Sequence, residues 1–185
     1  MNKQKRVILG VTGSIAAYKS ADIIRRLQDR GVRVSVVMTK EAEYFITPLT
    51  LSSLTGEKVY GSMFEKDTDS WRMIHIELAR EADVFLIAPA TANIIAKLAC
   101  GIADDLLTCI ALGTKAKIVV VPAMNSEMYS NNIVQSNCFK LKKFGMLFIE
   151  PTEGRLACGT TGHGHIADEE VIVQEVMNVI NSSAK

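Results

Sequence analysis

Five short apolar runs recur along this chain, each rich in Val and Ile, and stretches with helical spacing separate them. The runs are 7–11, 32–38, 84–88, 118–121 and 146–149, and Gly, Pro or charged residues bound each one. A strand that is apolar on both sides has no face to offer water, so its sheet must be covered on both faces. Helices between successive strands provide that cover and carry the chain back for parallel pairing. The expected fold is α/β, a Rossmann-like or flavodoxin-like three-layer sandwich around a doubly wound parallel sheet.

The intervening segments agree with this. Residues 15–30 put Ile23, Ile24 and Leu27 on one side and Arg25, Arg26 and Asp29 on the other, and Gly31 follows as a terminating glycine. Further helices are expected near 41–46, 77–81, 91–100, 104–112, 133–143 and 169–181. No repeat or linker divides the 185 residues, so 1–185 reads as one domain. A chain of that length buries roughly 70% of its unfolded surface and needs no staples. Only 152–165 breaks the rhythm. It carries Gly154, Gly159, Gly162 and Gly164 with little apolar content, and reads as an irregular lid or binding loop.

Charge and cysteine content narrow the function classes. Lys and Arg number 21 against 20 Asp and Glu, a formal charge of +1 with no basic stripe, which disfavours a nucleic-acid partner. The chain opens with Lys3, Lys5 and Arg6, but the apolar run behind them breaks at Gly10 and Gly13, too short for a signal peptide or a membrane span. Cys100, Cys109, Cys138 and Cys158 show no CxxC pairing. Three of them fall in helical segments, where a reduced thiol usually serves as a small buried hydrophobe. A reducing, cytoplasmic setting is expected.

The chemistry is expected at the carboxyl ends of the strands, where doubly wound sheets bind ligands. The first strand runs into VILGVTGSIAAYK, a strand–turn–helix junction. Gly13 there can take φ values that other residues avoid, and Ser14 is a good N-cap. Free N–H groups and the dipole at a helix start favour a phosphate. Thr12 stands where a GxGxxG motif needs glycine, and no Walker lysine follows. The second strand ends in Met38-Thr39-Lys40, without the carboxylate that grips a dinucleotide ribose, so a mononucleotide fits better. The third strand ends in APATAN, where Pro89 should stop it and Thr91 and Asn93 offer polar groups. The fourth ends in PAMN, Pro122 to Asn125. Three such ends imply one shared crevice.

Two residues could carry reactivity. His75, in WRMIHIELA, could act as a base at neutral pH, although a lone histidine among apolar residues is more often a packing residue. Cys158, in RLACGTTGHGH, sits on the glycine-rich loop, from which a thiol could reach a site. His163 and His165 lie near it, but one cysteine and two closely spaced histidines lack a zinc pattern, and no metal is expected. Asp104 and Asp105 read as helix caps rather than catalysts.

Taken in order, GSIAAYK, HIELAREADV, PATANIIAKLACGIADDLLT, PAMNSEMY and ACGTTGHGH resemble the flavin-dependent cysteine decarboxylases, over residues 7 to about 168. The resemblance implies FMN held by Gly13, Ser14, Ile15, Thr39, Thr91, Ala92 and Asn93. It implies His75 as the active-site base, Asn125 on the substrate carboxylate, Met128 beside flavin and substrate, and Cys158 as a proton donor on a substrate-clamping loop. It also implies a homo-oligomer, a trimer or a dodecamer, with His75 and flavin meeting at a subunit interface. The implied small-molecule substrate is phosphopantothenoylcysteine, an intermediate of coenzyme A biosynthesis. This chain departs from the family in two places: His165 stands where an arginine is usual, and the ligase often fused to bacterial relatives is not expected within these 185 residues.

A flavin suits such a substrate for a chemical reason. Losing CO₂ from an N-acylated cysteine leaves a carbanion with no electron sink, and an amide nitrogen cannot form a pyridoxal Schiff base. Oxidising CH₂–SH to CH=S supplies the sink, and returning the hydride and a proton restores the thiol. Rival expectations are a peptidyl-cysteine decarboxylase, which would lack the ACGTTGHGH loop, and a flavin prenyltransferase, which would need a basic site for a prenyl phosphate. A third is a flavoprotein without enzymatic activity.

Overall fold

The five apolar runs form five parallel strands in the computed structural model, which describes residues 4–63, 73–155, 159 and 161–182. They are β1 (Arg6–Val11), β2 (Arg33–Met38), β3 (Val84–Ala90), β4 (Lys117–Pro122) and β5 (Leu147–Phe148), in the order β2-β1-β3-β4-β5. The helices are α1 (Ser20–Asp29), α2 (Pro48–Thr55), α3 (Ile74–Glu81), α4 (Ala92–Cys100), α5 (Leu106–Gly113), α6 (Ser126–Ser130), α7 (Asn132–Lys143) and α8 (Glu169–Ser182). β1 shows how the strand period builds two cores. Val7, Leu9 and Val11 face one side, against Ile23, Ile24 and Leu27 of α1 and Ile172, Val173 and Val176 of α8. Ile8 faces the other, with Phe85 and Ile87 of β3, Leu78 of α3, Ile95 of α4, Leu107 of α5 and Leu141 of α7. The sheet is thus covered on both sides, as its apolar strands require.

The chain passes from β1 to β2 on one side and then returns to place β3 on the other side of β1. That reversal opens a gap between the carboxyl ends of β1 and β3. At the opposite end of the sheet, buried Arg6 donates to Ser35 Oγ and pairs with Glu81 and Glu57, while Lys5 pairs with Asp83 at 3.1 Å. These groups clamp β1, β2 and the end of α3 together, away from the gap.

Several expectations need correction. The helix expected over 15–30 begins as a 3₁₀ turn, Ile15–Lys19, and becomes α1 only at Ser20; the segment at 41–46 is likewise a 3₁₀ turn, Lys40–Tyr44. Pro89 does not stop β3, which continues to Ala90 with a shift of register against β4. The stretch 152–165 is not simply irregular: β6 (Thr152–Arg155) and β7 (Thr161–His165) pair as an antiparallel hairpin. Glycine faces glycine there, Gly154 opposite Gly162, so the β-branched signature of a strand is missing from the sequence. Helices α2 and α6 were not anticipated either; α2 is declared by its ends, a Thr47 cap and Pro48 in the first turn, more than by an apolar stripe. Of the three helical cysteines only Cys138 is buried, Cys109 being half-buried and Cys100 exposed. Among the described residues no helix is long and apolar enough to cross a membrane.

Candidate active-site crevice

The turns after β1 and β3 are joined by Thr12. Its buried hydroxyl donates to Pro89 O at 2.7 Å and accepts from Thr91 N at 3.2 Å. A glycine at that position could make neither bond, so departure from a dinucleotide fingerprint fixes the width of the gap. Ser14 caps the following 3₁₀ turn, accepting from Ala16 N, and donates to Ala123 O at 3.3 Å. It therefore ties the β1 turn to the end of β4 as well. Thr91 caps α4 through Ile94 N at 3.3 Å. Gly13 is required for a different reason from the one expected. Its φ is not positive; instead, a Cβ there would stand 2.5 Å from the Cβ of Glu41.

Two adjoining hollows result, of 690 and 220 Å³, sharing Gly13, Thr91, Ala92 and Met128. The larger also takes in Ser14, Ile15 and Asn125, and the smaller Thr39 and Asn93. All seven residues expected to hold a cofactor thus line one or other of these adjoining hollows. Thr39 supplies a direct test of fit. It sits before the 3₁₀ turn at Lys40, yet its hydroxyl does not cap that turn. Thr39 Oγ1 is buried without a hydrogen-bond partner among the described residues. A buried hydroxyl left so costs about 1–3 kcal/mol, which a polar ligand group would recover. The walls made by Ile15, Ala92, Met124 and Met128 suit a flat, largely apolar ring, and the polar turns suit its edges and a phosphate-bearing tail.

Asn125 caps α6: its Oδ1 accepts from Glu127 N at 2.8 Å. With the oxygen engaged, the amide's donors are its Nδ2 hydrogens, the correct polarity for a carboxylate. Met128 follows one turn later, half exposed at the junction of the two hollows. The hairpin closes this side, because Met124 N donates to Gly164 O at 3.1 Å and Gly164 and His165 line the crevice.

One described site residue expected from sequence is not assembled there. His75 lies half-buried in the first turn of α3 and does not line either hollow. Cys158 lies outside the described residues. Asp105 is a cap, as expected, exchanging hydrogen bonds with Thr108 in a capping box, and Lys97 pairs with Asp104 and Asp105. Sequence reasoning missed Lys19, which lines the crevice and pairs with Glu169 of α8 at 2.8 Å, both side chains largely buried. Burial alone would push the Glu169 carboxyl up, but the hydrogen bond and charge of Lys19 together with a backbone hydrogen bond outweigh it and hold the group below its ordinary value. The lysine was visible in GSIAAYK; its partner, 150 positions away, was not.

A family model described as Flavoprotein matches residues 1–181. A probable phosphopantothenoylcysteine decarboxylase of Streptococcus mutans is 46% identical over 174 residues, covering 93% of this chain and 97% of that protein. The coenzyme A biosynthesis bifunctional protein CoaBC of Vibrio vulnificus is 46% identical over 169 residues, 91% of this chain; the chain spans 42% of that longer relative. Among solved structures, a cysteine-to-serine variant of a PPC decarboxylase complexed with pantothenoylaminoethenethiol superposes with a TM-score of 0.84 at 33% identity, covering 95% of this chain and 98% of that one. The FMN-dependent cysteine decarboxylase SpaF superposes with a TM-score of 0.86 at 32% identity, covering 98% of both chains.

Proposed function

The chain belongs to the Flavoprotein family, and we propose that it is an FMN-dependent carboxy-lyase that converts 4′-phosphopantothenoyl-L-cysteine to 4′-phosphopantetheine in coenzyme A biosynthesis. The observation that carries this reading is the meeting, in one crevice, of the turns after β1 and β3 with Asn125 after β4. The resemblance of the whole chain to the Streptococcus mutans protein supports the substrate.

In this reading Gly13, Ser14, Ile15, Thr39, Thr91, Ala92 and Asn93 hold the FMN. The bound flavin supplies reversible two-electron chemistry, which lets the cysteine side chain be oxidised before CO₂ leaves and reduced afterwards. Asn125 turns its Nδ2 donors to the substrate carboxylate and fixes it for departure. Met128 gives an apolar wall that keeps water from the reacting carbon. His75 removes a proton during the oxidation, a contribution of about 10²–10⁴-fold for a well-placed base. Cys158 returns a proton at the end, carried by the hairpin acting as a clamp.

In this reading His75 serves from a neighbouring subunit, which its absence from the linings of both hollows supports. Met73, Ile76 and Leu112, on and beside α3 and α5, are exposed apolar groups, as are Ile15 and Tyr18 at the crevice rim. Two different apolar faces on one chain suit a heterologous contact, the kind that forms a ring when its rotation closes. In this reading the chain assembles as a homotrimer or a dodecamer, as its resemblance to the cysteine decarboxylases implies. A phosphopantothenate–cysteine ligase, fused or separate, supplies the substrate. The three described thiols are free, in keeping with a reducing cytoplasm.

The test is direct. Purified protein loaded with FMN is given phosphopantothenoylcysteine, and mass spectrometry follows phosphopantetheine. Stoichiometric flavin with no product from this substrate would overturn the reading; product from a peptide ending in cysteine instead would replace it with the peptidyl-cysteine reaction.

A further inference from the structure

His165 is the one imidazole lining the larger hollow among the described residues, and its environment sets its hydrogen-bonding polarity. Nδ1 lies 2.9 Å from Ile166 O. A carbonyl oxygen only accepts, so Nδ1 must carry the proton of that bond. In the neutral ring Nε2 is then a lone-pair acceptor, and no partner for it is found among the described residues. The ring is also held in place. Gly154, across the hairpin, has no side chain, and a Cβ there would lie 3.0 Å from His165 Cγ and 3.3 Å from Cδ2. The imidazole therefore packs over the glycine of the opposite strand, on an element that Gly164 joins to Met124.

We propose that His165 is a substrate-recognition residue: with Nδ1 donating to Ile166 O, its Nε2 accepts a hydrogen bond from an amide N–H or hydroxyl on the substrate's acyl arm. The inference rests on the decarboxylase reading and deepens it. The carboxylate end of the substrate calls for donors, which Asn125 provides. The arm carries neutral N–H and O–H groups, which call for an acceptor, and His165 lies in the wall of the same hollow. An arginine at this position could only donate, so the histidine reverses the polarity of the wall.

Three variants separate the parts of the proposal. His165→Phe keeps a ring over Gly154 but has no nitrogen; His165→Asn keeps a polar group near Nδ1; His165→Gln keeps one near Nε2. Steady-state kinetics are measured on FMN-loaded enzyme with phosphopantothenoylcysteine and with N-acetylcysteine, which lacks the arm. His165→Phe and His165→Asn should raise KM for the full substrate about tenfold, the worth of one net hydrogen bond, with kcat within about twofold. His165→Gln should restore most of the loss, and kcat/KM for N-acetylcysteine should be unchanged in all three. Unchanged KM in His165→Phe, or equal losses on both substrates, would overturn the proposal. Flavin absorbance per chain reports folding of each variant. Wild-type turnover tests the decarboxylase reading itself, so the two failures are distinguishable.

Discussion

Gly164 of β7 rests on the backbone of Met124: Met124 N donates to Gly164 O at 3.1 Å, and a Cβ on the glycine would run into Met124 O. The hairpin is thereby held against the turn that presents Asn125. Gly164→Ala must push the two backbones apart, because the obstructing atom is a carbonyl and not the end of a flexible side chain. We expect a cost of about 1–3 kcal/mol, a melting temperature lower by roughly 2–10 °C, and kcat/KM for decarboxylation down at least about tenfold. FMN content should persist, since the flavin-holding turns are elsewhere. Unaltered kinetics in a folded Gly164→Ala protein would show that the hairpin's seat on Met124 is irrelevant to turnover.

Asn125 has two duties that substitution can separate. Aspartate caps helices as well as asparagine does, so Asn125→Asp should keep the bond to Glu127 N and leave stability within about 0.5 kcal/mol of wild type. It exchanges the Nδ2 donors for a negative charge, which repels the substrate carboxylate. CO₂ release should fall by at least about 10³-fold with flavin retained. Asn125→Ala should lose the cap too, about 0.5–2 kcal/mol by thermal or urea unfolding. Equal destabilisation by both variants would contradict the capping role.

Thr39 offers a test with opposite signs in the two forms of the protein. Without flavin, Thr39→Val removes a buried hydroxyl that has no partner among the described residues, so the apoprotein should be as stable as wild type or more so. With flavin, the same change removes a bond to the ligand, and FMN affinity should drop about tenfold. Melting curves with and without FMN read both effects at once. A Thr39→Val holoprotein with wild-type affinity would exclude this hydroxyl from the cofactor site.

How far these sites were legible in the sequence depended on how local their causes were. Strand runs, the Ser14 cap and the PAMN corner rest on neighbours within a few positions, and each stands where the pattern put it. Gly13 was identified for a backbone conformation it does not adopt, because the obstacle, Glu41, belongs to another turn. The hairpin was hidden for the reason that lets it form: glycine facing glycine pairs closely but carries no apolar alternation. Thr12, Lys19 and His165 became informative only once partners 77, 150 and 11 positions away were in place, at Pro89, Glu169 and Gly154. His75 stays apart from the crevice of its own chain, which no reading of a single sequence could decide.

Acid sensitivity should originate at the other end of the sheet. Burial alone would push the Glu57 carboxyl up, but hydrogen bonds from Arg33 and Ser35 and the charges of Arg33 and Arg6 outweigh it and hold the group below its ordinary value. A carboxyl with a depressed folded-state value binds fewer protons folded than unfolded. Its stabilisation is present above the unfolded value, near 4.3, and is lost as pH falls through the folded one. Glu57→Gln should therefore destabilise the protein at pH 7 and flatten the fall in stability below about pH 5. Flavin binding and turnover at neutral pH should survive, because this cluster lies at the amino ends of the strands. Parallel urea titrations from neutral to acid pH would check it; an unchanged acid slope would place the sensitive carboxyl elsewhere.

The subunit arrangement can be decided without imaging it. If each crevice takes His75 from a neighbour, His75→Asn and Asn125→Asp are defective in different halves of a shared site. Chains of the two variants, inactive alone, should recover turnover when dissociated, mixed in equal amounts and reassembled. Random assembly of a ring with heterologous contacts gives about a quarter of the crevices both an intact Asn125 and a neighbour with an intact His75. Recovered kcat should therefore approach about a quarter of wild type, with KM unchanged, since every active site is a native one. A crevice completed by its own His75 would contain one defect in every copy. Mixed oligomers verified by mass spectrometry that remain inactive would then reject the neighbour-supplied base.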